Sequence, residues 1–219
     1  MKKKTKDRII ETATELFNQQ GFGAISLHEI AQTLGISRGN LTYHFNTKNV
    51  LLEVIADEMW AKIEVERQKR RDFPSFENIH NETQLYYAFQ KEYAFIFNDL
   101  HVIKHPILEK KFRQFCLATI KDNKAAIAFA IQLGNMKPEP FAGAYYNLCL
   151  SLWVLALFWL PQQEIRKVND NQEVVKVVWS LILPHFTSKG IDSFKAFFGE
   201  DFYEGIGQPF SVESHTSMF

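Results

Sequence analysis

Residues 38–44 carry side chains that suit hydrogen bonding to the exposed edges of nucleic-acid bases. An arginine can donate two hydrogen bonds to guanine, and an asparagine can pair with the edge of adenine. Arg38 and Asn40 supply these groups, and Gly39 leaves room where a backbone must approach a duplex. The segment therefore predicts DNA contact by the following residues: Arg38, Gly39, Asn40, Thr42, Tyr43 and His44.

Three further polar residues lie where helices are predicted to begin, and helix N-termini offer free amides and a positive dipole end to phosphate. They are Ser26, Thr47 and Lys48. Lysines between residues 2 and 6 can add phosphate contacts that do not depend on base sequence. For Tyr43 and His44 an alternative stays open, because an aromatic side chain at a helix end often covers a core.

Two short helices are predicted ahead of this segment. Apolar residues recur with a helical period from residue 6 to residue 20, and Gly21 suits the end of that helix. Ser26 and Glu29 have the spacing of a capping box for a second helix, which Gly35 ends after about two turns.

A third short helix is predicted to carry the base-contacting side chains. Ser37 can cap a helix over residues 38–44, and Thr47 can cap a long helix that begins at Lys48. The turn containing Gly35 between the second and third helices gives the outline of a helix-turn-helix.

The rest of the chain shows helical periodicity and no alternating strand pattern, so we expect an all-α fold. A polar turn is predicted over residues 75–83, after Phe73-Pro74 stops the preceding helix. Residues from 199 onward show no apolar period. The further predicted helices cover these ranges: 48–71, 84–100, 106–133, 141–160, 172–186 and 192–198.

These elements predict three parts of the chain. Residues 1–48 form a helix-turn-helix domain, residues 49–200 form a helical regulatory and dimerisation domain entered through a long connector helix, and residues 201–219 form a flexible tail.

The charge balance excludes a uniformly basic nucleic-acid coat protein. The 219 residues contain 25 Lys and Arg and 25 Asp and Glu. Residues 1–50 nevertheless carry a net charge of +3 and residues 51–219 a net charge of −3. Chance alone can produce such an excess, but it also fits an anion that faces the N-terminal part.

Two cysteines, in apolar surroundings, and a basic start with no apolar stretch behind it predict a cytoplasmic protein.

Residues 142–160 are almost entirely apolar and have the length of a membrane span. The alternatives are a buried core helix and a subunit interface. Asn147 and Ser151 lie on one face, and the flanks lack the Lys and Arg that usually fix orientation in a membrane. We therefore expect no membrane partner, and a membrane-associated helical protein remains the alternative.

The aromatic side chains of the C-terminal part exceed what helix packing requires, although most must still be core. Pockets between bundle helices are mainly apolar with a few polar groups. The predicted lining of a cavity for an apolar or aromatic small molecule is as follows: Tyr93, Phe97, Phe112, Phe115, Cys116, Asn147 and Trp153. A small-molecule or lipid-binding module without DNA binding is a second alternative function.

The sequence contains no phosphate loop, nucleophile elbow or paired-carboxylate motif, so we expect no enzymatic activity and no cofactor. His101 and His105 have the spacing of two metal ligands on one helix face, but Pro106 follows and no third ligand is evident. Metal sites usually need at least three clustered donors, so we expect no metal.

The N-terminal residues together resemble the signature of the TetR family of bacterial transcriptional regulators over about fifty residues. The resemblance is strongest to the Gly-Asn-Leu-X-Tyr-His-Phe variant of Bacteroidetes-type members, and Thr42 stands where the common pattern has a tyrosine. The resemblance rests on these residues: Gly21, Ser26, Ile30-Ala31, Leu34-Gly35-Ile36-Ser37, Gly39-Asn40-Leu41, Tyr43-His44-Phe45, Lys48 and Leu51-Leu52.

This resemblance implies a homodimer that binds palindromic operator DNA, usually as a repressor, and releases it when a small molecule binds the C-terminal part. It adds Ser37 to the DNA-facing segment and matches Lys48 to the family's phosphate-contacting lysine. It also implies dimerisation through the last two long helices, which here are predicted near residues 142–160 and 172–186.

Overall fold

The computed structural model describes residues 4–69, 74–168, 170 and 172–207, and these residues form helices with no named β-strand. The prediction of an all-α fold is therefore confirmed. The helices are α1 (Thr5–Gln20), α2 (Leu27–Leu34), α3 (Arg38–His44), α4 (Lys48–Gln68), α5 (Phe76–Glu92), α6 (Ala94–Phe97), α7 (Leu100–Ile103), α8 (Pro106–Gln132), α9 (Ala144–Arg166), α10 (Glu173–Ile182), α11 (Ser188–Phe198) and α12 (Glu200–Gly205), with a 3-10 turn at Leu183–His185.

The described residues divide into two compact units. The first unit contains residues up to Gln68 together with Phe89–Arg113, and the second contains Lys69–Ala88 and the residues from Gln114 onward. Helices α5 and α8 each contribute residues to both units.

In the first unit, the four N-terminal helices bury side chains that are mostly aliphatic. Each helix turns apolar side chains inward at helical spacing, so the core forms from one face of each. The fully or almost fully buried side chains are Ile9, Ala13 and Phe17 of α1, Ile30 and Ala31 of α2, Leu41 of α3, and Leu51, Leu52, Ile55 and Met59 of α4. We call residues 5–48 of this unit the head.

The second unit is held by aromatic side chains that are distant in sequence. The ring of Phe76 in α5 contacts Trp179 in α10 at 5.9 Å and Phe194 in α11 at 5.5 Å between centroids, and Trp179 and Phe194 lie 4.9 Å apart. Edge-on ring pairs of this kind stabilise a core beyond the area that they bury. The aromatic cluster is defined by these residues: Phe76, Trp179, Phe186, Phe194, Phe198 and Phe202.

The predicted turn over residues 75–83 is wrong, because α5 begins at Phe76. The Ser75 hydroxyl caps the helix by accepting a hydrogen bond from the amide of Asn78 at 3.1 Å. Phe76 then lies in the aromatic cluster, so a long-range contact outweighs the local polarity of the segment. The predicted stop at Phe73 lies outside the described residues.

The predicted continuous helix over residues 84–100 is interrupted instead at Tyr93. The Asn18 side chain donates to the carbonyl oxygen of Glu92 at 2.9 Å and accepts from the amide of Phe95 at 3.0 Å. Both backbone groups would otherwise bond within one helix, so this amide competes with helical hydrogen bonding and the chain breaks into α5, α6 and α7.

The tail prediction is wrong for residues 201–205, which belong to α12. Phe202 packs on Phe198 with tilted rings and centroids 4.9 Å apart, and this contact orders a turn that has no apolar period of its own. Residues 208–219 of the predicted tail lie outside the described residues. Helix α9 also differs from its predicted range, since it begins after Gly143 and continues through Pro161 to Arg166.

Candidate nucleic-acid interface

Helix α3 is fixed by one cap and one buried side chain. The Ser37 hydroxyl accepts a hydrogen bond from the amide of Asn40 at 3.1 Å, which satisfies one of the free amides at the helix start. Within α3, Leu41 is the residue that is buried. The predicted base-contacting residues Arg38, Gly39 and Asn40 are all exposed, so the structure presents this first turn to solvent.

Tyr43 is 85% exposed, the highest value among the large apolar side chains described. Its ring meets the His44 ring edge-on, with centroids 5.2 Å apart, while His44 is partly buried. Packing against the core therefore does not explain Tyr43. An aromatic ring held in solvent beside a helix end costs burial energy that a partner surface would recover.

Among the described residues, no atom would clash with a side chain at position 39. A Cβ atom built there would meet nothing closer than the Ser37 hydroxyl at 3.9 Å. The space beside Gly39 is therefore open to solvent, as close approach by another molecule requires. Thr42, on the next turn, donates its hydroxyl to the carbonyl oxygens of Arg38 and Gly39 at 3.0 and 3.2 Å and keeps its acceptor positions and methyl group.

Ser26 caps α2 in the predicted capping box. Its hydroxyl and its amide both donate to the Glu29 carboxylate at 2.7 Å, and the Glu29 amide donates back to the hydroxyl at 3.3 Å. These hydrogen bonds, led by that of the Ser26 side chain, lower the pKa of Glu29 below its ordinary value of 4.5. The Ser26 hydroxyl hydrogen is thus already used, and its phosphate contact stays a prediction.

Thr47 and Lys48 begin α4. The Thr47 hydroxyl is exposed and accepts from the Val50 amide at 3.2 Å. The Lys48 ammonium points inward, where it donates to the carbonyl oxygens of Phe22 and Ile25 at 2.8 and 2.9 Å. Sequence reasoning missed this internal role, and a local pattern gives no signal for it because the partners lie more than twenty residues earlier.

The predicted lysine arm is described only in part. Lys4 is exposed and precedes α1, and Lys6 lies within α1 with its ammonium 5.9 Å from the centroid of the Phe45 ring. Lys2 and Lys3 lie outside the described residues. Of the two described lysines, Lys6 thus places its charge beside the residue that follows α3.

The seven predicted ligand-lining residues fall in different units. Tyr93, Phe97 and Phe112 belong to the first unit, and the other four belong to the second. Phe97 and Phe112 meet edge-on at 5.9 Å. The Tyr93 hydroxyl accepts a hydrogen bond from Lys62 at 2.8 Å. Burial lowers the pKa of Lys62, but the hydrogen bonds to Glu92 and Tyr93 outweigh it and hold that pKa above its ordinary value.

In the second unit, the Phe115 and Trp153 rings lie 5.5 Å apart and Trp153 is buried. Cys116 is partly buried, and burial raises the pKa of its thiol. Asn147 is exposed, so within this chain it does not lie with the buried aromatic residues. The sequence grouped it with them because an amide in an apolar run resembles a polar group in a pocket.

Helix α9 has an exposed apolar face. Four of its residues recur at intervals of four and share one side of the helix. They are Tyr146, Leu150, Val154 and Phe158. Asn147 and Ser151 lie beside this stripe, and both are exposed. Helix α9 is also long and apolar enough to cross a membrane, a property that it shares with core helices of water-soluble proteins.

A buried polar network that the sequence did not reveal lies at the junction of α9 and α10. The Tyr87 hydroxyl donates to Gln163 at 2.7 Å, and Gln163 donates to the Glu173 carboxylate at 3.0 Å. Glu173 is fully buried and also accepts from Arg166 at 2.7 Å. A buried carboxylate needs such partners.

No group of three or more His, Cys, Asp or Glu residues in the described ranges is arranged to hold a metal ion.

Two family models match the chain. Residues 9–55 match the model described as bacterial regulatory proteins of the tetR family, and residues 55–194 match the model described as bacterial transcriptional repressor. The two matches meet at residue 55, within α4.

Two curated proteins are similar over the N-terminal part of the chain. A probable HTH-type transcriptional regulator from Bacillus subtilis, YttP, is 42% identical over 60 residues, which are 27% of this chain and 29% of that protein. The HTH-type transcriptional regulator QacR from Staphylococcus aureus is 34% identical over 93 residues, which are 39% of this chain and 50% of that protein. The chain thus matches half or less of the length of these relatives.

A solved structure shares the fold over nearly the whole chain. The TetR-family transcriptional regulator from Marinobacter aquaeolei superimposes with a TM-score of 0.78 and 24% sequence identity. The superposition covers 89% of this chain and 97% of that one.

Proposed function

We propose, from the premise that the chain belongs to the TetR family of bacterial transcriptional regulators, that it binds palindromic operator DNA as a homodimer and represses transcription until a small molecule binds. Regulators of this family bind operator DNA as dimers and respond to small-molecule ligands. We infer that this protein acts in the cytoplasm and is not an enzyme.

The proposal rests mainly on which side chains α3 exposes to solvent. A single buried residue, Leu41, anchors this helix, and Arg38, Asn40 and Tyr43 stand exposed on it. Arginine and asparagine give the two bidentate pairings that distinguish guanine and adenine in the major groove. Ser37, Gly39, Thr42 and His44 complete the proposed contact surface, with Ser26 and Thr47 at its phosphate-facing margins.

Dimerisation is assigned to α9 and α10. The stripe along α9 exposes four apolar side chains that water solvates poorly, and contiguous exposed patches of this kind usually mark interaction surfaces. A second copy related by a two-fold axis would cover each stripe with an identical one, since such interfaces are self-complementary. A dimer also explains why the operator is expected to be palindromic.

The effector is proposed to be an apolar or aromatic small molecule. Within the second unit, the Phe115 and Trp153 rings and the Cys116 thiol supply apolar surface and a polar handle for such a site. The effector would bind better to a conformation that spaces the two heads incorrectly for the operator. Helix α4 is proposed to carry this change, since only three residues separate it from the end of α3.

The alternative of a membrane-associated protein rests on α9, the one helix among the described residues that is long and apolar enough to cross a membrane. Fractionation of cells that express the chain separates the two possibilities. Recovery with the cytoplasm fits the proposed dimer interface, and recovery with membranes that resists high salt would support the alternative.

Binding of duplex DNA at increasing salt concentration tests the proposal against a ligand-binding module that lacks DNA binding. A regulator that neutralises phosphates shows a linear fall of log affinity with log salt concentration. We expect such a fall for genomic fragments, with a few fragments retained at salt concentrations that release the rest. The absence of any salt-dependent binding would contradict the proposed function.

A further inference from the structure

The ammonium group of Lys48 contacts the loop that joins α1 to α2. Its Nζ atom donates to the carbonyl oxygens of Phe22 at 2.8 Å and Ile25 at 2.9 Å, and the carbonyl oxygen of Gly23 lies 3.5 Å away. The same atom lies 4.4 Å from the centroid of the Phe22 ring. An ammonium group has three N–H donors, so each of them has an acceptor within the chain.

These carbonyl groups depend on Lys48 in return. Three carbonyl oxygens that converge on one point repel one another, because each is the negative end of a dipole. The cation between them removes that repulsion, and the ring face of Phe22 adds a cation–π attraction. The conformation of residues 22–25 is therefore tied to the position of Lys48.

The contact is important because of where Lys48 lies relative to α2 and α3. Lys48 is the first residue of α4, and three residues separate it from His44 at the end of α3. Ile25, one of its acceptors, directly precedes Ser26, the cap of α2. The hydrogen bonds of one side chain thus join the beginning of the first helix of the helix-turn-helix to the end of the second.

We propose that Lys48 is a positioning residue that fixes the placement of α3 relative to α2, and that its ammonium group is not a phosphate ligand. The proposal rests on the proposed function for its effect on DNA selectivity, because that effect requires α3 to read bases. Its effect on the stability of the head does not depend on DNA binding.

Two substitutions separate positioning from phosphate binding. Lys48→Met keeps the alkyl chain and removes the charge and the donors. Lys48→Arg keeps the charge, but a planar guanidinium cannot place its donors on three converging carbonyl oxygens. The control is Lys4→Met, the same change at an exposed lysine ahead of α1. The measurements are the thermal unfolding midpoint and the slope of log affinity for duplex DNA against log salt concentration.

Positioning predicts that Lys48→Met lowers the unfolding midpoint by roughly 5 °C, since hydrogen bonds to charged groups are lost. Lys48→Arg lowers it by a smaller amount. For both variants we expect an unchanged salt slope and a fall of about tenfold in preference for selected over random DNA. For Lys4→Met we expect an unchanged unfolding midpoint.

Two results would overturn the proposal. One is a decrease of about 0.9 in the magnitude of the salt slope for Lys48→Met, which is the loss of one phosphate contact, together with full recovery in Lys48→Arg. The other is an unchanged unfolding midpoint in both Lys48 variants. If the wild-type protein bound no duplex DNA, the proposed function would fail, and the unfolding midpoints would still decide whether Lys48 fixes the head.

Discussion

The head and the second unit expose opposite kinds of surface. In the head and α4, mostly aliphatic side chains are buried, and the side chains of α3 that face solvent are polar or hydrogen-bonding. In the second unit, aromatic rings fill the interior and a stripe of apolar side chains along α9 faces solvent. This contrast supports the proposal that the first surface binds a polyanion and that the second binds another protein chain.

The head and the second unit are also stabilised by different kinds of internal contact. Side-chain caps from residues next to each helix start fix α2 and α3. In the second unit, rings separated by more than one hundred residues, such as Phe76 and Trp179, contact each other. Substitutions in the second unit should therefore affect folding over a large region, whereas substitutions in the head can affect DNA binding without unfolding the chain.

The largest effect is expected from truncation in the aromatic cluster. Phe194 is fully buried, and Phe194→Ala should lower the free energy of unfolding by about 3–5 kcal/mol because it leaves a cavity. Urea unfolding measures this change. The matched control is Phe197→Ala in the same helix, where the side chain is 52% exposed and the loss should be much smaller. Equal losses in the two variants would show that the cluster is not the core of this unit.

A charge placed on α9 should separate the protomers. Val154→Glu puts a carboxylate in the proposed interface, where burial without a partner is costly. We expect the dimer dissociation constant to rise by about 100-fold or more, equivalent to roughly 2.7 kcal/mol, as measured by analytical ultracentrifugation. Val65→Glu, at an exposed valine of α4, is the control and should leave the dimer intact. An unaffected dimer in Val154→Glu would move the interface away from this stripe.

Removal of a base-reading side chain should reduce selectivity and leave assembly unchanged. Arg38→Ala and Asn40→Ala should each cost about 1–3 kcal/mol of discrimination between bound and random sequences. Footprinting on a selected site and ultracentrifugation together check this result. The control is Arg113→Ala, at an exposed arginine paired with Glu109 in α8. Unchanged footprints for the α3 variants would contradict its assignment as the recognition helix.

Loss of the α3 cap should have a moderate effect. Ser37→Ala removes the acceptor for the Asn40 amide and should destabilise the head by about 1 kcal/mol. Hydrogen exchange of the amides in α3 measures this change locally. Ser37→Thr retains a hydroxyl acceptor and should restore most of the protection. If Ser37→Ala protected the amides as well as the wild type does, local capping would not hold this helix.

The smallest effect is expected from a histidine at the edge of the aromatic cluster. His80 packs on Phe198 and Phe202, and its buried Nδ1 atom has no hydrogen-bond partner among the described residues. Burial lowers the pKa of His80 below its ordinary value of 6.5. The unfolded chain therefore binds this proton more readily, and stability falls as the pH decreases from above 6.5 through the lower pKa of the folded state.

The variant His80→Phe should lose that part of the pH dependence. Thermal unfolding midpoints of the two proteins, compared between pH 8 and pH 5, check the difference. Parallel curves would show that His80 does not titrate with unfolding.

Local signals explain why the sequence predicted the head well. The Ser26 and Glu29 capping box, Gly35 and the Ser37 cap lie within a few residues of the helix ends that they set, and α2 and α3 begin and end where these signals indicate. The first turn of α3 could be predicted as exposed for the same reason, since Leu41 is its buried position.

Long-range contacts account for what the sequence did not reveal. Asn18 interrupts the predicted helix over residues 84–100 at Tyr93, through contacts with residues more than seventy positions away, and Phe76 begins a helix because its ring packs on α10 and α11. The inward direction of Lys48 likewise depends on carbonyl groups of residues 22–25. Such contacts leave no periodic pattern, so residue types alone do not disclose them.

Selection of bound DNA from random duplex fragments by the intact protein tests the central claim most directly. The account predicts an enriched palindrome whose half-sites are separated by about one helical turn or a multiple of it, because a two-fold dimer presents two copies of α3. The same selection with Arg38→Ala should lose the preference at one position in each half-site. Enrichment of a sequence without two-fold symmetry, or no enrichment at all, would contradict a dimeric operator-binding regulator.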